Sequence, residues 1–499
     1  MTPMLLSDLL RGWVAYAPDL SITGLSLDNR NLQPGMVFVA LRGTQQHGLI
    51  YALSAAAAGA VAILYEPEEN LNLPSLDIPL ISVEHLRANL GLIAARFYAK
   101  PSQALFMVGV TGTDGKTSVT HFIAEALNAA QADSAAVIGT LGLGAPGLLQ
   151  TATHTTPDAI SVQKALANLQ AQNFTNVAME VSSHALDQGR VQGVEFDVAV
   201  LTNLTRDHLD YHGTVAAYAE AKRKLFHWAN LKAVVLNLDD AFGKQLAAEM
   251  AAQDLQVIGY GVGTLADYPT DSLVATDAVF DHSGIQATVH WQGQQAALTA
   301  PVLGQFNLHN LLAALGTLLA KGIAFTQAVK LLQHVWVVPG RMERVATAKA
   351  AEKLVVVDYA HTPGALAQVL TAVRAHTKRR LICVFGCGGD RDRGKRPLMA
   401  QTAQENADFL IITDDNPRTE SAKQIFGDIM GGIQPNSTIP VTWEHDRAQA
   451  IRLAIQQAQA GDTVLIAGKG HETVQILADH TVPFDDRVQA AQALKEFSL

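Results

Sequence analysis

Short runs of consecutive apolar residues, separated by polar loops and helical stretches, recur along this 499-residue chain. Four of these runs lie in its middle part: ALFMVGV, NVAMEVSS, FDVAVLTNL and KAVVLNLDD. Four more follow residue 340, each with a helical stretch after it: KLVVVDYAH, LICVFGCGG, DFLIITDDNP and TVLIAGKG. Strands that are apolar on both faces are typical of parallel sheets covered by helices on both sides. The pattern therefore predicts an α/β fold with two doubly wound sheets.

Two to four domains are expected, because 499 residues exceed what one hydrophobic core accommodates, and the sequence divides into three segments. Residues 1–100 combine short apolar runs with an alanine-rich helical stretch, which predicts an N-terminal α/β domain. Residues 101–338 predict a central mononucleotide-binding domain with a mostly parallel sheet, and the alternating pattern from 270 to 300 predicts antiparallel strands at one edge. Residues 339–499 predict a Rossmann-like, doubly wound C-terminal domain with polar residues after its strands, where open α/β sheets bind ligands.

The composition argues against nucleic-acid and membrane partners. The chain has 36 Lys and Arg residues and 46 Asp and Glu residues, a formal net charge of −10, so an anionic substrate requires local basic clusters. We expect no signal peptide and no membrane span, because a basic start and a stretch of about 18 apolar residues are both missing. The cysteines Cys383 and Cys387 have no further ligands for zinc, which predicts reduced core thiols in a cytoplasmic protein.

The strongest local motif is a glycine loop between a buried strand and an amphipathic helix, GVTGTDGKTSVTHFIAEAL. Backbone N–H groups of such a loop close around phosphate oxygens, and the helix N-terminus adds partial positive charge. Lys116 is expected to neutralise the β- and γ-phosphates of a nucleotide, and Thr117 to bind magnesium. Val110 replaces the first glycine of the common motif, and the alternative is an ordinary glycine turn. The predicted ATP-binding residues of this loop are Gly112, Thr113, Asp114, Gly115, Lys116, Thr117 and Ser118.

Two other motifs match known patterns by their letters only. The segment GLGAPG, residues 142–147, matches G-x-G-x-x-G, but no helical pattern follows it, and a dinucleotide site requires that helix. The segment is therefore predicted to be a loop. His471 and Glu472 begin like a zinc-protease motif, but Gln475 stands where the second histidine is needed, which excludes that motif.

Three further residues are candidates for chemistry near the glycine loop. Glu180 ends the strand NVAME, a good position for a magnesium ligand beside a phosphate loop. His208 follows another strand, and Lys222 lies in a predicted helix. Each is weak evidence when it is taken singly, because a carboxylate or histidine at a strand end is often structural and a helical lysine is usually solvated.

The order of the motifs resembles that of the Mur ligase family. The chain contains, in order, G-T-D-G-K-T, E-V-S-S-H, T-N-L-T-R-D-H-L-D-Y-H, A-K-R-K-L-F, L-G-Q-F-N, G-R-M-E and D-Y-A-H-T-P. The resemblance therefore covers nearly the whole chain. It implies an ATP-dependent ligase that forms an amide bond through an acyl-phosphate and extends the peptide of a bacterial cell-wall precursor.

The resemblance also implies roles for individual residues. It implies one magnesium ion on Thr117 and Glu180, and a second on Glu180, His208 and a carbamate formed from CO2 on Lys222. A carbamate turns a cation into a carboxylate-like group that a hard cation prefers, and two cations offset the charges of phosphate and carboxylate. The implied catalytic residues are Lys116, Glu180, His208 and Lys222. The implied contacts to adenine, phosphate and ribose are Asn307, Arg341 and Asp358.

The N-terminal domain is implied to hold the uridine diphosphate of a UDP-linked muramoyl-dipeptide. Asn29 departs from the Asp-Ser-Arg triplet of the family, although its amide can replace the hydroxyl as a donor. The implied contacts to the UDP part are Leu27, Asn29, Thr44, Gln45 and Gln46. The implied contacts to the muramoyl-dipeptide are Thr155, Thr156, Ser182, Gln188 and Arg190.

The C-terminal domain is implied to select the incoming amino acid. Its D-N-P-R motif resembles the branch of the family that adds diaminopimelate, whereas lysine-adding relatives lack this arginine. Arg391 and Arg418 can pair with carboxylates in bidentate geometry, and Glu472 can accept from an ammonium group. The implied amino-acid site consists of Arg391, Asp415, Asn416, Pro417, Arg418, Gly468 and Glu472.

Two alternatives stay open at this stage. A sister ligase that adds lysine or glutamate, or a folylpolyglutamate synthase, would use the same chemistry. A regulatory P-loop NTPase would hydrolyse ATP without an amino acid, but it leaves the D-N-P-R and G-K-G-H-E loops unexplained. We expect a monomer in which the C-terminal domain closes to complete the site.

Overall fold

The computed structural model describes residues 4–43, 46–151, 154–281, 283–345, 353–434 and 436–497. Two units can be distinguished, Met1–Tyr260 with Ala313–Ile323, and Gly261–Leu312 with Ala324–Leu499. The domain bounds at 100 and 338 stay a prediction.

The first unit begins with a small parallel sheet. Its elements are β1 (Met4–Leu5), α1 (Leu6–Leu10), β2 (Ser21–Ile22), β3 (Gly24–Ser26), β4 (Met36–Ala40), α2 (Ala52–Ala57), β5 (Ala62–Tyr65), β6 (Leu80–Ser82) and α3 (Leu86–Phe97). The strand order is β3-β4-β5-β6, and every neighbouring pair is parallel. Apolar clusters pack on this sheet from two sides, one of them around α3, as expected for an α/β domain.

The larger sheet of the first unit carries the glycine loop. Its elements are β7 (Phe106–Thr111), α4 (Lys116–Ala130), β8 (Ala135–Gly139), β9 (Gly142–Gly144), α5 (Ala159–Ala171), β10 (Asn176–Glu180), α6 (Ser183–Asp187), β11 (Val198–Leu201), α7 (Leu209–His212), α8 (Val215–Arg223), β12 (Ala233–Asn237), α9 (Ala241–Met250) and β13 (Gln256–Val262). Strand β7 lies between β10 and β11, and both pairs are parallel. Because Glu180 is paired with Val110, the carboxyl end of β10 lies beside the strand that leads into the glycine loop.

The segment GLGAPG is not a dinucleotide motif, as predicted. Its first half is the short strand β9, antiparallel to β8, rather than a loop. The next helix among the described residues is α5, which begins at Ala159, where Asp158 accepts from two backbone N–H groups and caps it.

The second unit starts with an antiparallel meander. Its strands are β14 (Leu273–Asp281), β15 (Gly284–Trp291) and β16 (Gln294–Ala300). The helices α10 (Gln305–Ala320) and α11 (Phe325–Leu332) follow, and the part of α10 from Ala313 onward belongs to the first unit. Both strand pairs are antiparallel, which confirms the prediction from the alternating pattern.

The C-terminal sheet is doubly wound, as predicted. Its elements are β17 (Glu343–Arg344), β18 (Leu354–Asp358), α12 (Pro363–Arg374), β19 (Leu381–Phe385), α13 (Lys395–Asn406), β20 (Phe409–Ile412), α14 (Ala422–Met430), β21 (Val441–Trp443), α15 (Arg447–Gln457), β22 (Thr463–Ala467), β23 (Val474–Ile476), β24 (Thr481–Pro483) and α16 (Asp486–Glu496). The strand order is β17-β18-β22-β19-β20-β21, and all pairs except β17–β18 are parallel. The loops after β18, β19, β20 and β22 therefore meet at one edge.

One expectation about this sheet is wrong. The run TVLIAGKG forms β22, but the chain then turns into the hairpin β23–β24 before α16 begins. Gly468 and Gly470 have positive φ values of 119° and 51°, so the backbone bends in a way that an immediate helix does not allow.

The remaining expectations concern cysteines and membranes. Cys383 and Cys387 are buried free thiols, and burial raises the pKa of both to about 12, so they stay protonated. Among the described residues, none of the helices combines the length and the apolar character that crossing a bilayer requires.

Candidate active site

The glycine loop has the shape that the sequence predicts. Strand β7 ends at Thr111 and α4 begins at Lys116, with Gly112 and Gly115 at φ values of 152° and 82°. A Cβ atom on Gly112 would lie 1.8 Å from the hydroxyl oxygen of Thr202, so only glycine fits there. The loop is therefore held tightly against the segment that follows β11.

Two lysines converge on one carbonyl of this loop. The Nζ atom of Lys116 donates to the carbonyls of Gly112 and Thr113, at 2.9 and 2.8 Å. The Nζ atom of Lys222 donates to the same Gly112 carbonyl at 2.6 Å and lies 4.4 Å from the centre of the Tyr218 ring. Burial lowers the pKa of Lys222 well below its ordinary value, and the nearby charge of Lys116 lowers this pKa further. The structure therefore brings two predicted catalytic residues together, one of them buried and readily neutral.

Glu180 is buried beside the loop. Its carboxylate accepts from the backbone N–H and the hydroxyl of Thr140, at 2.8 and 3.2 Å, and from the side chain of Thr117. A Cβ atom on Gly139 would lie 2.2 Å from Glu180 Oε1, so this glycine leaves room for the carboxylate. Burial raises the pKa of Glu180, while the charge of Lys116 and the hydrogen bonds oppose that rise. Gly139 and Thr140 were not among the predicted site residues; the available signal was the apolar run AAVI directly before this glycine-threonine pair.

His208 lies in an aromatic cluster that reaches the loop. Its backbone is left-handed, with φ at 52°, and its Nε2 atom lies 3.3 Å from a carboxylate oxygen of Asp207. Its ring centre is 4.9 Å from that of His184 and 6.0 Å from that of Tyr218. The Tyr218 hydroxyl donates to Thr113 Oγ1 at 3.3 Å. His208, the glycine loop and Lys222 are thus connected through Tyr218.

The donor atoms near the loop fit a magnesium ion that is shared with a nucleotide. Within the described ranges, no group of three or more His, Cys, Asp or Glu side chains is arranged to hold a metal by itself. Glu180 and Thr117 nevertheless place a carboxylate and a hydroxyl together, the oxygen donors that Mg²⁺ prefers. Magnesium commonly completes its octahedron with phosphate oxygens and water, so two protein oxygens suffice.

Two predicted dipeptide contacts lie at the end of β10. The Thr156 hydroxyl donates to the backbone carbonyl of Glu180 at 2.8 Å and lies 3.3 Å from the hydroxyl of Ser182. Thr155 is adjacent, with its hydroxyl oxygen 3.1 Å from that of Thr140. The two threonines therefore lie beside Glu180, with Thr156 fully buried.

Arg190 and Gln188 complete this cluster. The guanidinium of Arg190 donates to the backbone carbonyl of Thr156 at 2.9 Å and to the side-chain oxygen of Gln188 at 2.9 and 2.6 Å. The Gln188 amide donates in turn to the hydroxyl of Tyr211 at 3.2 Å. Five predicted residues from separate stretches of the sequence are thus brought together beside the loop.

A pocket of about 440 Å³ lies on the N-terminal sheet. It is lined by Leu27 and Gln46, two predicted contacts, and by Tyr51, Arg42 and Arg87. The Gln46 amide donates to the hydroxyl of Tyr51 at 3.1 Å. An apolar side chain, an aromatic ring and two arginines suit a base attached to a diphosphate. Tyr51, Arg42 and Arg87 were not among the predicted contacts; Arg42, just after the apolar run VFVAL, offered the clearest signal.

Of the other predicted UDP contacts, only Asn29 lies among the described residues. The Asn29 amide donates to the hydroxyl of Ser54 at 3.0 Å, so this departure from the family triplet is used within the protein. Thr44 and Gln45 lie outside the described residues.

Three predicted nucleotide contacts lie in the second unit. Asn307 is buried, and its amide donates to the carbonyl of Leu303 at 2.7 Å while its oxygen accepts from Asn310 at 2.8 Å. Near neighbours in the sequence therefore fix the orientation of the Asn307 side chain at the start of α10.

Asp358 and Arg341 lie near each other. The carboxylate of Asp358 accepts from the backbone N–H groups of Met342 and Ala360, both at 2.7 Å. Burial raises the pKa of Asp358, and these two hydrogen bonds oppose the rise. The guanidinium of Arg341 lies 5.2 Å from the centre of the Tyr359 ring. Each oxygen of Asp358 retains a lone pair for a hydroxyl donor such as a ribose.

The predicted amino-acid site is organised around a lysine that the sequence analysis did not single out. The Lys469 ammonium is fully buried and contacts Asn416 Oδ1 at 3.0 Å, Glu472 Oε2 at 2.9 Å and Asp415 Oδ1 at 3.6 Å. A Cβ atom on Gly468 would lie 3.7 Å from Asp415 Oδ2, so this loop lies close to the carboxylate. The signal for this lysine was its position between two glycines directly after a buried strand.

Two arginines occupy the neighbouring loops. Arg418, with φ at 51°, donates to the carbonyl of Gly389 at 2.8 Å. A Cβ atom on Gly389 would lie 1.8 Å from the carbonyl oxygen of Pro417, so the loops after β19 and β20 touch. Arg391 is exposed. The structure thus places guanidinium groups and carboxylates at one edge of the C-terminal sheet.

Comparisons with known proteins show which family the chain belongs to. Three family models match the chain: Mur ligase family, catalytic domain, at residues 21–98; Mur ligase middle domain at 110–318; and Mur ligase, glutamate ligase domain, at 340–470. A protein of Alkalilimnicola ehrlichii named UDP-N-acetylmuramoyl-L-alanyl-D-glutamate–2,6-diaminopimelate ligase is 48% identical, over 99% of both chains. The protein of the same name from Xanthomonas campestris is 49% identical, over 98% of this chain and 97% of its own.

A solved structure of an enzyme with that name is 37% identical, covers 99% of both chains and superposes with a TM-score of 0.76. The predicted family and the predicted α/β fold of three Mur ligase domains are both confirmed. Full-length coverage at this identity leaves one assignment: the chain belongs to the Mur ligase family.

Proposed function

We propose that this protein joins meso-2,6-diaminopimelate to UDP-N-acetylmuramoyl-L-alanyl-D-glutamate and converts ATP to ADP and phosphate. The observation that carries the proposal is the end-to-end match, at 48% identity, to a relative named for this reaction. The D-N-P-R and G-K-G-H-E loops, which meet in one buried cluster, support the choice of amino acid.

The glycine loop would hold the triphosphate. Lys116 now donates to two loop carbonyls, and a bound nucleotide would offer it phosphate oxygens instead, which are stronger acceptors. Magnesium held by Thr117 and Glu180, and a second ion on Glu180, His208 and carbamylated Lys222, would supply positive charge between the phosphate and the substrate carboxylate. The lowered pKa of Lys222 supports the carbamate, because only a neutral amine adds to CO2.

The reaction then follows in two steps. The γ-carboxylate of the D-glutamate attacks the γ-phosphorus of ATP, ADP leaves, and an acyl-phosphate forms. The amine of diaminopimelate attacks the activated carbonyl, the new C–N bond forms, and phosphate leaves. The residues of this chain act mainly by holding the reacting groups together and by stabilising charge.

The remaining substrate contacts follow from the clusters described above. The pocket around Leu27 and Gln46 would bind the uridine diphosphate, and the cluster around Thr156 and Arg190 would bind the dipeptide. Asn307, Arg341 and Asp358 would contact the nucleotide.

The far end of diaminopimelate requires both signs of charge. Its carboxylate would pair with Arg391 and Arg418, and its ammonium would face Glu472. Lysine has only the ammonium at that end, so the arginines favour diaminopimelate.

We infer that the protein works in the cytoplasm as a monomer. Its proposed nucleotide substrates are cytoplasmic metabolites. Analytical ultracentrifugation of the purified protein tests the monomer directly, and a dimer at assay concentrations would contradict it.

Phosphate release with defined amino acids tests the reaction. With ATP, magnesium and the UDP-muramoyl-dipeptide present, we expect phosphate release to begin only when diaminopimelate is added. Release on addition of lysine or glutamate alone would indicate a sister ligase. Steady release without any amino acid would indicate an NTPase.

A further inference from the structure

Lys469 occupies an unusual position for a lysine. It follows β22 and is flanked by Gly468 and Gly470, which both have positive φ. A Cβ atom on Gly470 would lie 2.6 Å from the Cβ of Tyr359 and 2.7 Å from the carbonyl oxygen of Gly340, so the loop backbone is pressed against its neighbours. This packing directs the Lys469 side chain inward, where its exposed fraction is 0%.

The Lys469 ammonium determines how its neighbours are oriented. It donates to Asn416 Oδ1 at 3.0 Å, and the backbone N–H of Ile476 donates to the same oxygen at 2.9 Å. The Asn416 amide nitrogen therefore faces the other way and donates to Glu472 Oε2 at 3.1 Å. Lys469 donates to that oxygen as well, at 2.9 Å, so Glu472 is held by two donors. Without Lys469, neither the amide nor the carboxylate keeps its full set of partners.

Lys469, Asp415 and Glu472 together carry one negative charge in excess. Arg447 and Asp486 are both fully buried and form a bidentate pair, at 2.7 Å for both hydrogen bonds, which is neutral. Lys469 is shared between Asp415 and Glu472, one cation for two carboxylates. The Glu472 side chain is 31% exposed while Lys469 is not exposed at all, so the excess charge faces the opening. An ammonium group of an incoming amino acid would balance it.

We propose that Lys469 is a positioning residue, which holds Glu472 and Asn416 in the orientation that receives the ammonium of the amino-acid substrate. The inference rests on the proposed function, because it takes these residues as the amino-acid site. Lys469 itself does not contact the substrate: it lies beneath the two side chains that do.

The test is the Lys469→Met variant of the full-length protein, which keeps the length of the side chain and removes the charge. Loss of the ammonium leaves the carboxylates of Asp415 and Glu472 without their cation, and we expect the KM for diaminopimelate to rise on the order of 100-fold. The KM values for ATP and for the UDP-muramoyl-dipeptide should change less than about twofold, because those sites keep all their contacts. Lys423→Met, which removes an exposed lysine on α14, is the matched control and should leave all three KM values unchanged.

The outcomes separate the inference from the proposed function. If the wild-type protein does not use diaminopimelate, the proposed function itself fails. If the wild type uses it, but Lys469→Met keeps its KM or raises all three KM values together, Lys469 is a general structural residue and the inference is overturned.

A folding defect can be separated from a positioning defect. If Lys469→Met does not fold, the double variant Lys469→Met/Glu472→Gln removes one of the uncompensated charges and should fold again. Its KM for diaminopimelate should stay raised relative to that of Glu472→Gln alone, because Asn416 still lacks its partner. Equal KM values for these two variants would contradict the inference.

Discussion

At the scale of single residues, glycines shape the candidate site as much as its polar side chains do. The Glu180 carboxylate has room only because residue 139 has no side chain. The glycine loop approaches the segment after β11 only because residue 112 has no side chain either. Neither glycine can be replaced without moving a group that is proposed to act on the substrates. A prediction about catalysis can therefore be made from a residue that carries no functional group.

The Gly139→Ala variant should lose most of its activity. The new Cβ would lie 2.2 Å from Glu180 Oε1, so the carboxylate must move by about 1 Å, which lowers kcat on the order of 100-fold. Steady-state kinetics with all three substrates provide the measurement. Gly427→Ala in α14 is the control, because its Cβ meets nothing within 4 Å. Equal kcat values for the two variants would contradict the proposed role of Glu180.

The Arg418→Ala variant should weaken the use of diaminopimelate selectively. Its guanidinium is proposed to bind the distal carboxylate, and a hydrogen bond to a charged group contributes about 1.5–3 kcal/mol, so kcat/KM for diaminopimelate should fall about 10- to 100-fold. Competition between diaminopimelate and lysine measures the change in preference. Arg393→Ala is the control, because it removes an exposed guanidinium at the same edge of the sheet, one that is bound to Asp428. An unchanged preference in Arg418→Ala would refute the assignment.

At the scale of elements, strand ends position the chemistry and the helices behind them provide support. Helix α4 begins at Lys116, a predicted catalytic residue, and buries one face against β8 and β10. His121 lies on this helix, is 4% exposed, and has its pKa lowered to about 4 by burial. Helix α4, which follows the glycine loop, thus contains His121 as a histidine that is neutral at physiological pH.

The burial of His121 should make the protein less stable in mild acid. Between pH 6.5 and 4 the unfolded chain binds a proton that the native imidazole does not, so the free energy of unfolding falls as the pH falls. From pH 7 to pH 5 this loss should be about 2 kcal/mol. His121→Leu should remove that part of the pH dependence, which urea unfolding of both proteins would measure. Parallel pH curves for the two proteins would show that His121 also titrates freely in the native state.

At the scale of the whole molecule, the chain divides into two units, and each contains apolar clusters of its own. The first contains the phosphate loop, and the second contains the buried charges around Lys469 and Arg447. Units with their own cores can unfold in separate transitions. A substitution in one core should therefore lower the stability of one unit only.

The Arg447→Met variant should destabilise the second unit alone. It leaves Asp486 buried at 0% exposure without its partner, which lowers the free energy of unfolding by about 3–5 kcal/mol. Scanning calorimetry should show one transition moved to lower temperature and the other unchanged. Arg452 lies on the same helix as Arg447 and forms an exposed ion pair with Glu496 of α16. Arg452→Met, which breaks this pair, should lower the free energy of unfolding by only about 0–1 kcal/mol. The double variant Arg447→Met/Asp486→Leu should recover most of the loss, and failure to recover would contradict the ion-pair explanation.

Much of the fold and part of the site follow from the sequence alone. Buried strands, the glycine loop before Lys116, the strand end at Glu180 and the antiparallel section near 280 are local patterns, which depend on residues close in the chain. The order of the motifs was enough to predict the family. The role of each site residue stays a prediction.

Only the tertiary structure decided which side chains are buried together. Nothing near Lys469 in the sequence indicates that its ammonium reaches Asn416. Lys469 follows β22 and Asn416 follows β20, and the two meet because only β19 lies between these strands in the sheet. The same reason explains Gly139 and Thr140, which meet Glu180 only because β8 is the neighbour of β10. Local periodicity determines strands and helices, whereas the pairing of distant strands determines which charges face one another.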